Sequence, residues 1–261
     1  MADADSLLRS GDLDGARAAL VEVVRSDPAN QQARMFLFQL LAAAGEWDKA
    51  RRQLQTLAQL SGEAQMLATA YGQAIDAEAD RAAVFAGRER ARQHEAVDWV
   101  EGVIDAIQFY ASGDADAGAE ARDAAFEAAG DTPGSFNGEA FEWIADADSR
   151  FGPCFEAIIG GRYGLQAFES VERITSEGPR DLRDLIWFPV QIFFKSGQSV
   201  AAFLPARYPG TEASGDTSDR LGRATSWHEA PWGEAGSGQR LWTVSSGEDH
   251  GLLALRDLSF G

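Results

Sequence analysis

The side chains best placed to do chemistry lie in one short run, Asp146-Ala-Asp148-Ser-Arg150. Two carboxylates at alternate positions beside a guanidinium could act as a general base, hold a cation, clamp two elements together or engage a partner. A calcium loop needs further oxygen ligands and a glycine at its turn, so no metal is assigned here. As a salt-bridged turn or a helix cap the run is ordinary. A hydrolase reading requires Asp146 and Asp148 to converge with a third polar group in a concave pocket. The three histidines, His94, His228 and His250, each stand in a polar or loop context, and Cys154 sits between Phe151 and Phe155, where a thiol is inert. The chain has no Gly-x-Ser-x-Gly elbow, no Gly-x-x-x-x-Gly-Lys-Ser/Thr loop and no His-Glu-x-x-His. The reading therefore assigns no catalytic residue, no cofactor and no metal.

That run closes a longer joint, Pro133 to Gly152, between two kinds of sequence. Before it the chain is Ala-rich and helical in pattern. Two segments, Gly11-Asp-Leu-Asp-Gly-Ala-Arg-Ala-Ala-Leu20 and Gly45-Glu-Trp-Asp-Lys-Ala-Arg-Arg-Gln-Leu54, align at an offset of 34 residues, the tetratricopeptide period. In each, a glycine ends one helix, a bulky residue (Leu13, Trp47) opens the next, and a small alanine (Ala16, Ala50) lets paired helices approach. Between them, Ala33 to Ala42 is apolar nearly all round, so Met35, Phe36, Phe38 and Leu41 are expected in the core. Further helices are expected from Met66 towards Phe85, over Val97 to Ile107, and from Asp114 or Asp116 to Ala129, about seven in all. Stacked helix pairs leave a concave surface that suits a peptide or helix.

After the joint the signals change. Asn137-Gly138 marks a tight hairpin. Phe151 to Ile159 reads as a short helix ended by Gly160-Gly161. Tyr163–Phe168, Val171–Thr175, Ile186–Phe194 and Ser199–Leu204 read as strands, with Pro189 implying an edge or bulge. Leu182–Leu185 reads as a helical turn. Thr211–Gly222 and Ala230–Gly238 read as polar, mobile loops, and Leu241–Val244 and Leu252–Leu258 as the last strands. The expected fold is α+β: a helical, tetratricopeptide-like domain over 1–131, then over 132–261 a small, mainly antiparallel sheet with short helices.

Composition bounds the rest. With 23 basic and 41 acidic residues the net charge is −18, which argues against a nucleic-acid or anionic-membrane surface and suits a positively charged partner. One cysteine permits no intrachain disulfide and fits a reducing compartment. No secretory pattern follows Met1 and no apolar run approaches the roughly 20 residues of a membrane span, so a cytoplasmic location is expected.

The pieces SLLRSGDLDGARAAL, RMFLFQLL with GEWDKA, FNGEAFEWIADADSRFGP, and DLRDLIWFP with PARYPG together resemble the TagJ/ImpE family, also called SciE-type virulence proteins. These are accessory proteins of bacterial type VI secretion. The resemblance runs from about Ser6 to the last strand; the stretch Thr211 to Gly238 departs from it. It implies a non-enzymatic adaptor that binds the N-terminal helix of the small contractile-sheath subunit (TssB, or VipA) and associates with the sheath-recycling ATPase ClpV. A hydrolase-type enzyme or another peptide-binding scaffold is the alternative. The residues chosen for partner binding rest on chemistry, because aromatics, arginines and carboxylates dominate binding hot spots. They are Phe141, Trp143, Asp146, Asp148, Arg150, Tyr163, Trp187, Arg207 and Tyr208, read as surface-exposed, although Trp143, Trp187 and Tyr208, each taken alone, suit a core better.

Overall fold

The computed structural model describes residues 2–261. Seven helices come first: α1 (Ala2–Arg9), α2 (Leu13–Ser26), α3 (Gln31–Ala43), α4 (Trp47–Leu60), α5 (Glu63–Phe85), α6 (Val100–Ser112) and α7 (Ala115–Ala128). The 34-residue similarity has a plain physical basis. Gly11 and Gly45 both take positive φ, +85° and +70°. Each lets the chain close the preceding helix with a backbone hydrogen bond, Asp12 N donating to Leu7 O and Glu46 N to Leu41 O, both 2.8 Å. The matched residues Ala16 and Ala50, and Leu20 and Leu54, are all buried. Asp12 and Asn30 cap α2 and α3 by accepting from Gly15 N and Ala33 N.

The helices give way to strands β1 (Gly134–Phe136), β2 (Glu139–Phe141), β3 (Ile144–Asp146), β4 (Cys154–Ile159), β5 (Arg162–Ala167), β6 (Val171–Thr175), β7 (Trp187–Phe194) and β8 (Ser199–Pro205). After them come α8 (Thr217–Arg220), β9 (Thr225–Ala230), β10 (Gly233–Gly238), β11 (Leu241–Val244), β12 (Asp249–Gly251) and β13 (Asp257–Phe260). Eight strands form one antiparallel sheet in the order β2-β1-β13-β6-β7-β8-β4-β5. Strands β12-β11-β3 make a second sheet and β10-β9 a separate hairpin.

Three layers result. One face of the large sheet (Ile158, Tyr163, Leu165, Trp187) shares a continuous core with the helices. The other face (Phe155, Phe188, Ile192, Phe194) packs with Trp242 and Val244 of the small sheet. Tyr71 of α5 lies 5.7 Å from Trp187 of β7, so the longest helix is the seam between the halves.

Several expectations need correction. Cys154–Ile159 is a strand, not a helix: it is covered on both faces, so all but its last residue are buried, and it reads as an apolar run without alternation, interrupted once by Glu156. Pro189 lies within a central strand opposite Phe203 of β8; its carbonyl accepts from Ser176 Oγ at 2.8 Å on the β6 side, where β6 pairs with β7 only over 191–194, so no ladder bond is required of its nitrogen. The stretches expected as mobile loops hold a 3-10 turn (Thr211–Ala213), α8 and the β9–β10 hairpin. Leu252–Ala254 is likewise a 3-10 turn, with the strand confined to Asp257–Phe260. No helix is long and apolar enough to cross a membrane among the described residues.

Candidate functional site

Seven of the nine residues chosen from sequence chemistry converge on one buried network at the seam. Arg81 of α5 reaches across to Glu156 of β4 with a two-pronged bond, 2.7 and 2.9 Å, and donates to the Arg207 carbonyl at 2.8 Å. Tyr163 O–H donates to the same Glu156 carboxylate at 2.7 Å. Trp187 Nε1 donates to Glu78 at 2.9 Å. Arg240 bridges Glu156 and Asp146, with its guanidinium between the rings of Phe151 and Tyr208. Arg150 grips Asp148 through two bonds of 2.9 and 2.7 Å, and Gly236 N also donates to the Oδ2 of that carboxylate, at 3.1 Å. Arg207 donates to the Ala43 carbonyl at the end of α3, 2.9 Å away. Phe141 lies elsewhere, in the second core against Phe260. Of the nine, Trp143 alone is exposed, at 39 %.

The expected exposure of Phe141, Asp146, Asp148, Arg150, Tyr163 and Arg207 is therefore corrected, whereas Trp187 and Tyr208 take the core position that also suited them. The seven at the seam carry a polar or charged group, and the seam supplies both an apolar bed and a hydrogen-bond partner for each; Phe141 is simply a core residue of the second cluster. Arg81, Glu156 and Arg240, which tie the network together, escaped the sequence reading. Glu156 did leave a trace, as one charge inside the apolar run Cys-Phe-Glu-Ala-Ile-Ile. A charge in such a run needs a buried partner, but nothing in sequence spacing points to one 75 or 84 residues away.

Electrostatics follow from burial. Desolvation pushes Asp146 up to about 6, against the pull of the Arg240 guanidinium, with Asp148 adding a smaller push. Burial lowers Arg207 to about 10 and lowers Arg240, and it raises the Tyr163 and Tyr208 phenols and the Cys154 thiol. Asp146 and Asp148 are buried and occupied by arginines and backbone amides, so the hydrolase alternative loses its two carboxylates. Glu139, Glu248 and His250 bring ligand-type atoms within 4.8 Å of one another, at the surface and away from the network.

The open site lies on the helical half. A groove of about 760 Å³ runs between α3, the end of α4 and the start of α5, with Asp5 of α1 at its rim. Met35 and Phe36 on α3, Leu57 on α4 and Leu67 on α5 supply its apolar surface; Gln31, Gln39, Asp5 and Glu63 supply polar and acidic groups. Phe38 and Leu41 of α3 are buried as expected, whereas Met35 and Phe36 are only half-buried and face the groove. A helix apolar all round can serve both a core and a groove, and its periodicity cannot divide the two roles. Leu60 and Met66 nearby are exposed, Met66 at 83 %.

Residues 7–74 match a tetratricopeptide repeat model and residues 138–259 match the ImpE protein model. The type VI secretion system accessory component TagJ of Pseudomonas aeruginosa is 41 % identical over 98 % of this chain and 90 % of its own length. The chain belongs to the TagJ/ImpE family. A crystal structure of a Vibrio parahaemolyticus protein superposes with a TM-score of 0.87 over 99 % of this chain and 97 % of that one, at 21 % identity, which shows the shared fold. In this TagJ-family chain the repeat match ends within α5, the helix that carries Arg81 into the network, and the ImpE match begins at the Asn137-Gly138 turn.

Proposed function

We propose that this chain is a non-enzymatic accessory adaptor of type VI secretion that holds the N-terminal helix of the small sheath subunit in the groove between α3, α4 and α5. The observation that carries the reading is the groove itself: an open trough on stacked helix pairs in which Met35, Phe36, Leu57 and Leu67 form an apolar strip between polar side chains, with Asp5 and Glu63 among its lining residues and no Lys or Arg. An amphipathic helix lays an apolar stripe into such a trough, and acidic walls on a chain of net charge −18 select one with basic flanks. The buried network supports the site at a distance by fixing α5 to the sheet. In this reading Trp143 is the member of the nine that can touch a partner, and the other eight hold the shape. Association with ClpV belongs to the same reading, with the adaptor linking sheath and ATPase.

Calorimetry with a synthetic N-terminal helix of the cognate sheath subunit tests it. Binding at micromolar strength is expected, weakening as salt rises, and about tenfold weaker or worse in F36D, since a buried charge in the trough costs at least ~1.4 kcal/mol. No detectable heat at high protein concentration would count against the adaptor reading. Loss of binding in W143A but not in F36D would move the helix to the other half.

A further inference from the structure

A second cleft has the opposite electrostatic character. It holds about 270 Å³ between the segment 88–95, which links α5 to α6, and the edge strand β5. Arg92 and Arg162 stand on its walls with His94, and Ala157 and Ile159 form an apolar floor. No Asp or Glu lines it.

The two guanidiniums are free. Arg90, two residues away on the same segment, is paired with Glu101 and Asp105. Arg92 and Arg162 form no ion pair among the described residues, in a chain where acidic residues outnumber basic ones 41 to 23. Charge at a distance is screened within about 8 Å at physiological salt, so the local pair of cations, not the total of −18, sets the potential inside the cleft.

The walls are also held in place. The Arg92 carbonyl accepts from Leu165 N at 2.8 Å. That close approach needs Gly164, because a Cβ there would lie 2.4 Å from the same carbonyl oxygen. Gln166, only 1 % exposed, accepts from Glu95 N at 3.1 Å and so ties the segment to the strand. The His94 ring packs on Phe194 with centroids 5.3 Å apart.

We propose that this cleft binds a carboxylate presented by a peptide, at a site separate from the helix groove. Planar guanidinium forks match the two oxygens of a carboxylate. The apolar floor accommodates the stem that carries it. The volume is below that of a typical small-molecule pocket, so it admits a residue or two and not a helix.

The test uses the full chain and N-acetylated Gly-Ala-Glu peptides with free or amidated C-termini, a Gly-Ala-Gln amide as the uncharged control, and inorganic phosphate as a comparator. NMR titration is expected to give millimolar dissociation constants for the acidic peptides, and none for the Gln amide. The double variant R92Q/R162Q, at exposed positions, is expected to weaken binding about tenfold or more while leaving the urea midpoint unchanged. F36D is expected to have no effect. If the free acid binds and the Glu amide does not, the site takes a C-terminal carboxylate; if both bind, it takes a side chain. The proposal is overturned by equal binding of Glu and Gln amides with no added affinity for the free acid, by indifference to R92Q/R162Q, or by phosphate binding with no peptide binding.

Discussion

Among individual residues, the network at the seam sets the strongest constraint. Removing one member of a buried ion pair leaves the other uncompensated, which is more costly than the pair itself is stabilising. Glu156 is the extreme case, since Arg81, Arg240 and Tyr163 all bond to it. Asp146 gives the measurable pH signature. Its carboxyl is raised from an ordinary 3.8 to about 6 by burial, so the folded chain binds that proton more readily than the unfolded one. Its contribution is most favourable below pH 4, falls as pH rises to about 6, and is constant above; the change is about 3 kcal/mol. D146N removes the titration. Urea unfolding at intervals from pH 4 to 7 is expected to show wild-type stability declining relative to D146N up to about pH 6 and parallel to it beyond. A constant difference across the range would mean that Arg240 keeps Asp146 charged throughout. The Asp-Asp-Arg run was visible in the sequence because its members are neighbours. Its partners were not, because a contact between Arg240 and Asp146 spans 94 residues and no local rule connects them.

At the scale of elements, local rules worked where local physics decides. The repeat was legible because each copy uses the same glycine-closed helix end, and the Asn137-Gly138 hairpin because both residues take positive φ. The rules failed for β4, where burial on both faces erased the alternation that marks a strand. They failed again for β9 and β10, whose polar, Gly-rich residues form a regular hairpin that packs Trp227 on Tyr208. The two repeat glycines allow a controlled comparison. Both have φ near +80°, so replacement by alanine costs about 1–2 kcal/mol in backbone strain. A Cβ at Gly11 meets nothing within 4 Å, but at Gly45 it would lie 2.6 Å from Glu212 Cγ, on the turn that follows β8. G45A is therefore expected to lose more stability than G11A in urea unfolding. Equal losses would show that the Glu212 turn moves away without cost, and that the α3–α4 corner and the sheet half are less tightly docked than the contact implies.

For the whole molecule, the change of composition at Pro133 suggests two bodies, yet the core does not divide there. Phe151, Ile158, Tyr163, Trp187 and Tyr208 from the strand-rich half belong to the same apolar cluster as Leu37, Phe38, Tyr71 and Ile75 of the helices. Patterning reveals what each half is made of, but not which of its faces the other half covers, since a residue buried within a half and one buried between halves look alike. Trp187 illustrates the point: it lies parallel to Phe38 with centroids 6.5 Å apart, while its N–H reaches Glu78. Separating the halves would expose that apolar face and take Glu156 from Arg81 and the Trp187 N–H from Glu78, a penalty on the scale of a domain's entire stability. The segment 1–131, expressed alone, is accordingly expected to retain helical far-ultraviolet dichroism but to lose a cooperative urea transition and to bind a hydrophobic dye. A sharp, dye-free transition from that fragment would mean that the helix stack closes its own core, and that the groove on α3, α4 and α5 does not depend on the sheet behind α5.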